Sequence, residues 1–292
     1  MTRASRPEGR LRRPPAERVR LRLAAVAGDR VAATMPSGYH RFGRVLVLQR
    51  PDALAPYDAL LGNAWREELG VETVLVKSGP VEGELRTPRV LRVAGKATET
   101  EVLEHGVRWR FDAARVMFAV GNQAERLRAG QLVGPGEVVA DLFAGIGYFA
   151  IPAALPGRAR RVWAVEKNPV SVHYLRENAT LNAVAERITV VPGDNRTVPL
   201  PEGIFDRVFL GYLPSAIPWV PRAVTLLRPT GGWLHVHTVA DVRAPLGETA
   251  ASVEASAEAD GSRLAEASRV RVVKPYGPGR NHLVVDVHLG PR

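Results

Sequence analysis

The sequence predicts an α/β protein: a Rossmann-like, mainly parallel sheet with a C-terminal antiparallel hairpin, preceded by a small N-terminal α+β domain. Three observations predict it. From about residue 135 short apolar runs alternate with helical segments, the rhythm of a parallel sheet with right-handed crossovers. A glycine turn, Gly145 and Gly147, follows the first of those runs. The last two runs are joined only by residues 275–281. A parallel return needs a dozen or more residues, so this final pair is antiparallel.

Residues 1–22 read as a flexible basic arm. They hold Arg3, Arg6, Arg10, Arg12, Arg13, Arg18, Arg20 and Arg22 against Glu8 and Glu17, a net of +6. Residues 23–110 read as the small α+β domain. Runs at 45–48, 71–77 and 89–93 are strand-like, and 56–69 is helical with Pro56 tolerated in the first turn. Residues 111–292 form the second domain. Its strands are expected at 137–143, 161–166, 188–191, 205–210, 232–238, 269–274 and 282–288. A helix starts near Tyr148, and another is capped by Asn168-Pro169 and runs to Asn182. A last helix is expected over 246–265.

Composition narrows the function. Hydrophobic residues are 46% and charged residues 24% of the 292, which excludes collagen-like and mainly disordered chains. No apolar stretch approaches the roughly 18 residues of a membrane span, and no signal-peptide pattern opens the chain. Cysteine is absent and the 7 histidines lack ligand spacing, so no metal site is expected. The expected location is cytoplasmic, and no oligomeric state is assigned. Forty basic against thirty acidic residues give +10. Only Lys77, Lys96, Lys167 and Lys274 are lysines. Such an arginine-rich surface suits phosphate, which guanidinium binds bidentately.

Three constellations carry chemistry. Asp141 to Tyr148 (DLFAGIGY) lies where the first strand meets the first helix. Glycines there let backbone approach a ligand. Asp141 ends the first strand, Glu166 the second and Asp194-Asn195 the third. Those positions suit the amino-acid end, the ribose hydroxyls and the adenine of S-adenosylmethionine, respectively. Together with the terminal hairpin they point to a class I SAM-dependent methyltransferase-like sheet. The second constellation, Gly211-Tyr212-Leu213-Pro214-Ser215, ends the fourth strand at the mouth of the site. It lacks the Asn or Asp with which many amino- and base-methylating enzymes accept a hydrogen bond from the amino group under attack. The third is 117–126, where Glu125 and Arg126 are expected on a helix aimed at the glycine turn, as base or substrate clamp.

These segments resemble a family of tRNA-modifying enzymes with two branches, the tRNA guanine-N1 methyltransferase and the wybutosine-synthesis aminocarboxypropyltransferase. The resemblance rests on 107–112, 117–126, DLFAGIGYFAIPAA, VEKNPVSVHYLRENATLNAV, GDNR and LGYLPS. It is good over about 80–240 and reaches back toward Met35. GYLPS and the Gly-Asn-Gln-x-Glu segment look like the aminocarboxypropyltransferase branch, because the methyltransferase branch carries Asn-Leu-Pro where this chain has Gly211. The resemblance implies SAM as group donor and tRNA as partner. It implies cofactor contacts from Met117, Phe118, Asp141, Phe143, Ala144, Gly145, Gly147, Tyr148, Phe149, Glu166, Lys167, Asn168, Asp194, Asn195, Gly211 and Tyr212. It also implies a role in the chemistry for Arg86, Glu125 and Pro214. The favoured reaction is transfer of the 3-amino-3-carboxypropyl group to a modified guanosine at tRNA position 37. The alternatives are methyl transfer to a tRNA base and a non-catalytic RNA-binding protein with a vestigial SAM fold.

Overall fold

Pro15 opens a helix within the stretch expected to be an arm. In the computed structural model, which describes residues 13–259 and 261–292, α1 (Pro15–Ala27) buries Ala16, Val19 and Leu23. That spacing gives one apolar stripe, and Arg18 and Arg22 pair with Glu68 and Glu67. The arm expected over 1–22 therefore stops short of Pro15; residues 1–12 lie outside the described residues.

The chain divides into two compact units, residues 1–101 with 112–117, and 102–111 with 118–292. The first unit continues with α2 (Asp29–Ala32), β1 (Tyr39–Phe42), β2 (Val45–Gln49), α3 (Asp58–Leu69), β3 (Thr73–Lys77) and β4 (Val90–Ala94). Its sheet has the order β1-β2-β3-β4, and only β2 and β3 are parallel. α3 is the crossover between those parallel strands, as a parallel pair requires. Leu46, Leu48, Val74 and Val76 bury against Leu23, Leu61 and Trp65. The three strands and the helix expected here are all present; β1 was not foreseen.

A two-stranded hairpin follows, β5 (Glu99–Glu104) and β6 (Val107–Asp112). The sequence boundary at 110/111 cuts through β6, whereas residues 102–111 belong with the second unit. The reason is local bonding. Arg108 N and Arg110 N donate to Asn182 Oδ1 and Asn178 Oδ1, at 2.8 and 2.7 Å, and Trp109 and Phe111 are buried.

The second unit runs α4 (Gln123–Leu132), β7 (Val138–Asp141), α5 (Ala150–Ala154), β8 (Arg161–Glu166), α6 (Pro169–Leu181), β9 (Ile188–Pro192), β10 (Arg207–Leu210), α7 (Val220–Leu226), β11 (Gly232–Asp241), α8 (Leu246–Ala257), β12 (Ala265–Gly277) and β13 (Arg280–Leu289). Seven strands order as β12-β13-β11-β10-β7-β8-β9. Only β13 runs against its neighbours. Asn168 caps α6 by accepting from Val170 N at 2.9 Å. The helix expected over 246–265 ends at Ala257 instead, because Gly261 sits at φ +66° and Ala265 already pairs with Leu289. α7 was not foreseen. Between β9 and β10 the strand order reverses around β7, which opens a crevice at the carboxyl ends of β7 and β10.

Candidate active site

Asp141 closes β7 and is fully buried. Its Oδ1 accepts from Phe143 N (3.3 Å) and its Oδ2 from Ala150 N (3.2 Å), so the carboxylate braces both ends of the glycine turn. Burial pushes its carboxyl up to about 7 against the pull of those amides, and the neighbouring Glu166 charge adds to the rise. Within the turn, Gly145 and Gly147 take φ of +56° and +105°, a region that favours glycine. A Cβ at Gly147 would lie 2.6 Å from Ile151 Cδ1. Ala144 N is tied to Val165 O at 2.9 Å.

Glu166 ends β8. Its Oε2 accepts from Gly145 N (2.7 Å) and its Oε1 from Asn168 N (2.6 Å). The Lys167 amide bonds to this carboxylate as well, which leaves about one of its roughly four acceptor sites for a ribose. Burial raises this carboxyl above the usual range. At the end of β9 the picture differs from expectation. Asp194 is engaged by Arg196 and by Lys167 Nζ (3.1 Å), and the Arg196 hydrogen bonds hold it well below the usual carboxylate range. Its carboxylate is thus committed elsewhere. The buried neighbour Asn195 donates to Leu142 O at 2.6 Å and keeps its Oδ1 without a hydrogen-bond donor among the described residues.

β10 delivers the mouth. Gly211 packs on Phe149, and an ideal Cβ there would stand 2.7 Å from Phe149 Cε2. Phe149 is itself buried, beside Phe209 and stacked on His237 at 5.2 Å. Tyr212 stacks on Phe143 at 5.1 Å, and Trp219 meets both rings at 5.2 Å. Trp219 was missed in the sequence; nothing local to it signals that it joins this rim. Pro214 is exposed after a cis peptide bond, and Ser215 Oγ accepts from Thr238 Oγ1 at 3.1 Å.

The remaining candidates separate. Arg86 lies in the first unit, in a turn at φ +53°, with Nη2 3.6 Å from Met117 Sδ. Phe118 is buried, stacked on Phe111 at 4.7 Å, with the Arg126 guanidinium 4.7 Å above its ring. Glu125 and Arg126 do share α4, but neither presents a free group. Arg126 is 4% exposed and bidentate on Glu104. That burial and pairing do not fit the substrate clamp expected of it. Both oxygens of Glu125 are held by Arg128, which also binds Asp286 at 2.8 Å. Burial raises the Glu125 carboxyl and Arg128 lowers it. This geometry gives a buried ion-paired carboxylate rather than the open base expected there. The i,i+3 spacing of Glu125 and Arg128 is a local signal for this pair; Asp286, far away in sequence, carries none.

The donor set suits SAM: the Glu166 oxygens for a ribose, the vacant Asn195 acceptor, and an apolar aromatic rim. Among the described residues no cluster of His, Cys, Asp or Glu could hold a metal, and no helix is long and apolar enough to cross a membrane.

Residues 100–264 match the model of the TRM5/TYW2 methyltransferase domain, more than half of the chain. The chain belongs to this family. Residues 19–98 match the TYW2 N-terminal domain. Over 272 residues it is 32% identical to a Pyrococcus horikoshii protein named tRNA(Phe) (4-demethylwyosine(37)-C(7)) aminocarboxypropyltransferase, covering 93% of this chain and 96% of that one. A Methanocaldococcus jannaschii protein of the same name is 36% identical over 215 residues, 74% of this chain and 85% of that one. The crystal structure of P. horikoshii TYW2 in complex with MeSAdo superposes with TM-score 0.79 at 29% identity, covering 94% of this chain and 99% of that one. Trm5b from Pyrococcus abyssi gives 0.74 at 29%, covering 87% of this chain and 76% of that one. The fold is therefore the SAM-dependent methyltransferase-like one expected, and the family is the one the sequence resembles.

Proposed function

We propose that the chain transfers the 3-amino-3-carboxypropyl group of S-adenosylmethionine to a modified guanosine at position 37 of tRNA. The observation that carries this reading over methyl transfer is Gly211 with Phe149 against it. No side chain at 211 is available to accept from an amino group under attack. A relative that aligns over 93% of this chain bears the aminocarboxypropyltransferase name.

When bound, the sulfonium donor supplies an electrophilic Cγ and a neutral leaving group, methylthioadenosine. The Cγ–S bond breaks with its electron pair remaining on sulfur, a bond from Cγ to the acceptor base forms, and the base loses a proton to solvent. The protein's share is orientation and exclusion of water. Glu166 holds a ribose hydroxyl, Asp141 and the amides it accepts from keep the glycine turn in shape, and Phe143, Tyr212 and Trp219 wall the mouth. Which carbon faces the acceptor decides the product.

By-product analysis tests the reading. Chromatography of a reaction with wyosine-precursor tRNA is expected to yield methylthioadenosine. S-adenosylhomocysteine as the sole nucleoside product would move the chain to the methyltransferase branch.

A further inference from the structure

The carboxyl edge of the large sheet is not level. β10 stops at Leu210, opposite Val236, whereas β11 runs on to Asp241. The residues of β11 beyond Val236 pair with β13 as far as Arg280, and β13 pairs in turn with β12 from Arg271 to Gly277. At about 3.3 Å per residue, this three-stranded ladder overhangs its neighbours by roughly 17 Å. β12 and β11 both run against β13, so they point the same way. The turn at Pro278-Gly279 therefore projects on the side where Gly145, Glu166 and Tyr212 sit.

The overhang is basic. It carries Arg271, Lys274 and Arg280, with Arg243 just past β11, against Asp241. Between Ala267 and Val285 the chain holds no acidic residue. Arg271 and Arg280 are exposed, and Tyr276 is 39% exposed near the tip. Lys274 lies along Gly121, where a Cβ would be 3.0 Å from its Cδ. β12 is also the edge strand, and charge on an edge can serve only to prevent strand pairing. That explanation asks for charge along the whole edge. Here, Asp241 apart, the charge is positive and extends onto the tip and the inner strand.

We infer that this overhanging ladder is a rail for RNA backbone, on which Arg271, Lys274 and Arg280 meet phosphates and Tyr276 offers its ring to an unstacked base as the acceptor enters the site. The inference rests on the reading that the acceptor is tRNA. Phosphate contacts release counterions, each contributing about 0.7 to 0.9 to the log–log salt slope, and exposed rings stack single-stranded bases.

Full-length Arg271→Gln/Arg280→Gln protein is compared with wild type and with Arg271→Lys/Arg280→Lys, using tRNA and a salt series. The Gln variant is expected to bind tRNA roughly ten- to a hundredfold more weakly at low salt and to flatten the slope by about one and a half units. The Lys variant, with its charge kept, should stay near wild type. Calorimetric affinity for SAM should be the same in all three, which also reports that each is folded. Wild-type affinity and slope in the Gln variant would overturn the inference, with or without self-association along the bared edge. A Lys variant as weak as the Gln variant would overturn it too. If wild type still releases methylthioadenosine on tRNA in those cases, only the rail falls. If wild type neither binds tRNA nor releases methylthioadenosine, the proposed function falls with it.

Discussion

Glu166 Oε2 accepts from Gly145 N at 2.7 Å, so the residue proposed to hold the ribose also holds the glycine turn. One carboxylate thereby links the ends of β7 and β8. Truncating it removes the ribose's acceptor and loosens the turn together. Loss of a hydrogen bond to a charged group costs about 1.5–3 kcal/mol, or roughly 10- to 150-fold in affinity. Glu166→Ala is expected to weaken SAM binding by at least that factor in calorimetry. Wild-type affinity in the variant would remove Glu166 from the site.

Gly211 leaves no room for a side chain, since Phe149 is pinned between Phe209 and His237. Gly211→Asn should overpack this contact and cost about 1–3 kcal/mol, read as a lower urea midpoint. It should not convert the product to S-adenosylhomocysteine. Adding Phe149→Ala should recover part of the lost stability if the clash is the cause. No recovery would refute the contact as the reason for glycine.

Arg128 joins two carboxylates, Glu125 and Asp286, inside the second unit, and is 13% exposed. Arg128→Met leaves Glu125 buried without its guanidinium partner and Asp286 with His235 alone. Breaking a buried pair in this way costs about 3–5 kcal/mol. A melting temperature unchanged by the substitution would show that the network contributes little.

His235 sits between Arg207 Nη1, 2.6 Å from its Nε2, and Asp286 Oδ1, 2.5 Å from its Nδ1. A guanidinium only donates, so Nε2 bears the lone pair and Nδ1 the proton. Burial, with Arg207 and Arg128 adding, lowers its pKa to about 4 despite Asp286. The unfolded state binds this proton near 6.5 and the folded state only near 4. Stability from His235 is therefore present above about pH 6.5 and is lost as pH falls toward 4. Asp141, raised to about 7, works in the opposite sense, stabilising at low pH and losing that contribution as pH rises through 7. Imidazole NMR at pH 5.5 is expected to find His235 neutral in the Nδ1-H form. A titration midpoint near 6.5 would contradict the geometry.

Residues 1–12 carry Arg3, Arg6, Arg10 and Arg12 against Glu8. A clean truncation ends there, because α1 begins at Pro15 and buries Ala16. If the arm grips tRNA, removing it should flatten the salt slope by about two to three units and leave SAM affinity unchanged. An unaltered slope would confine RNA contact to the folded units.

Much of the architecture was legible locally. Asn168-Pro169 announced α6, because capping and a fixed φ are properties of adjacent residues. The short 275–281 link announced the antiparallel hairpin, because chain length alone forbids a parallel return. Asp141, the glycines and Glu166 were legible because each lies at a strand end that periodicity marks. Other features depend on partners distant in sequence. α1 was mistaken for arm because its apolar stripe gains meaning only against Trp65 and Leu61. Glu125 reads as a base in the sequence because its burial, and the contact of its helical neighbour Arg128 with Asp286, form only in the folded unit. Asp194 was assigned to the ligand, yet folding gives it to Arg196 and Lys167. Neighbouring residues alone mark the strands of the large sheet, the glycine turn and the acidic strand ends, but not α1, β1 or α7. The tertiary structure decided which of those charges remain available, because burial and pairing of a charge are properties of everything packed around it.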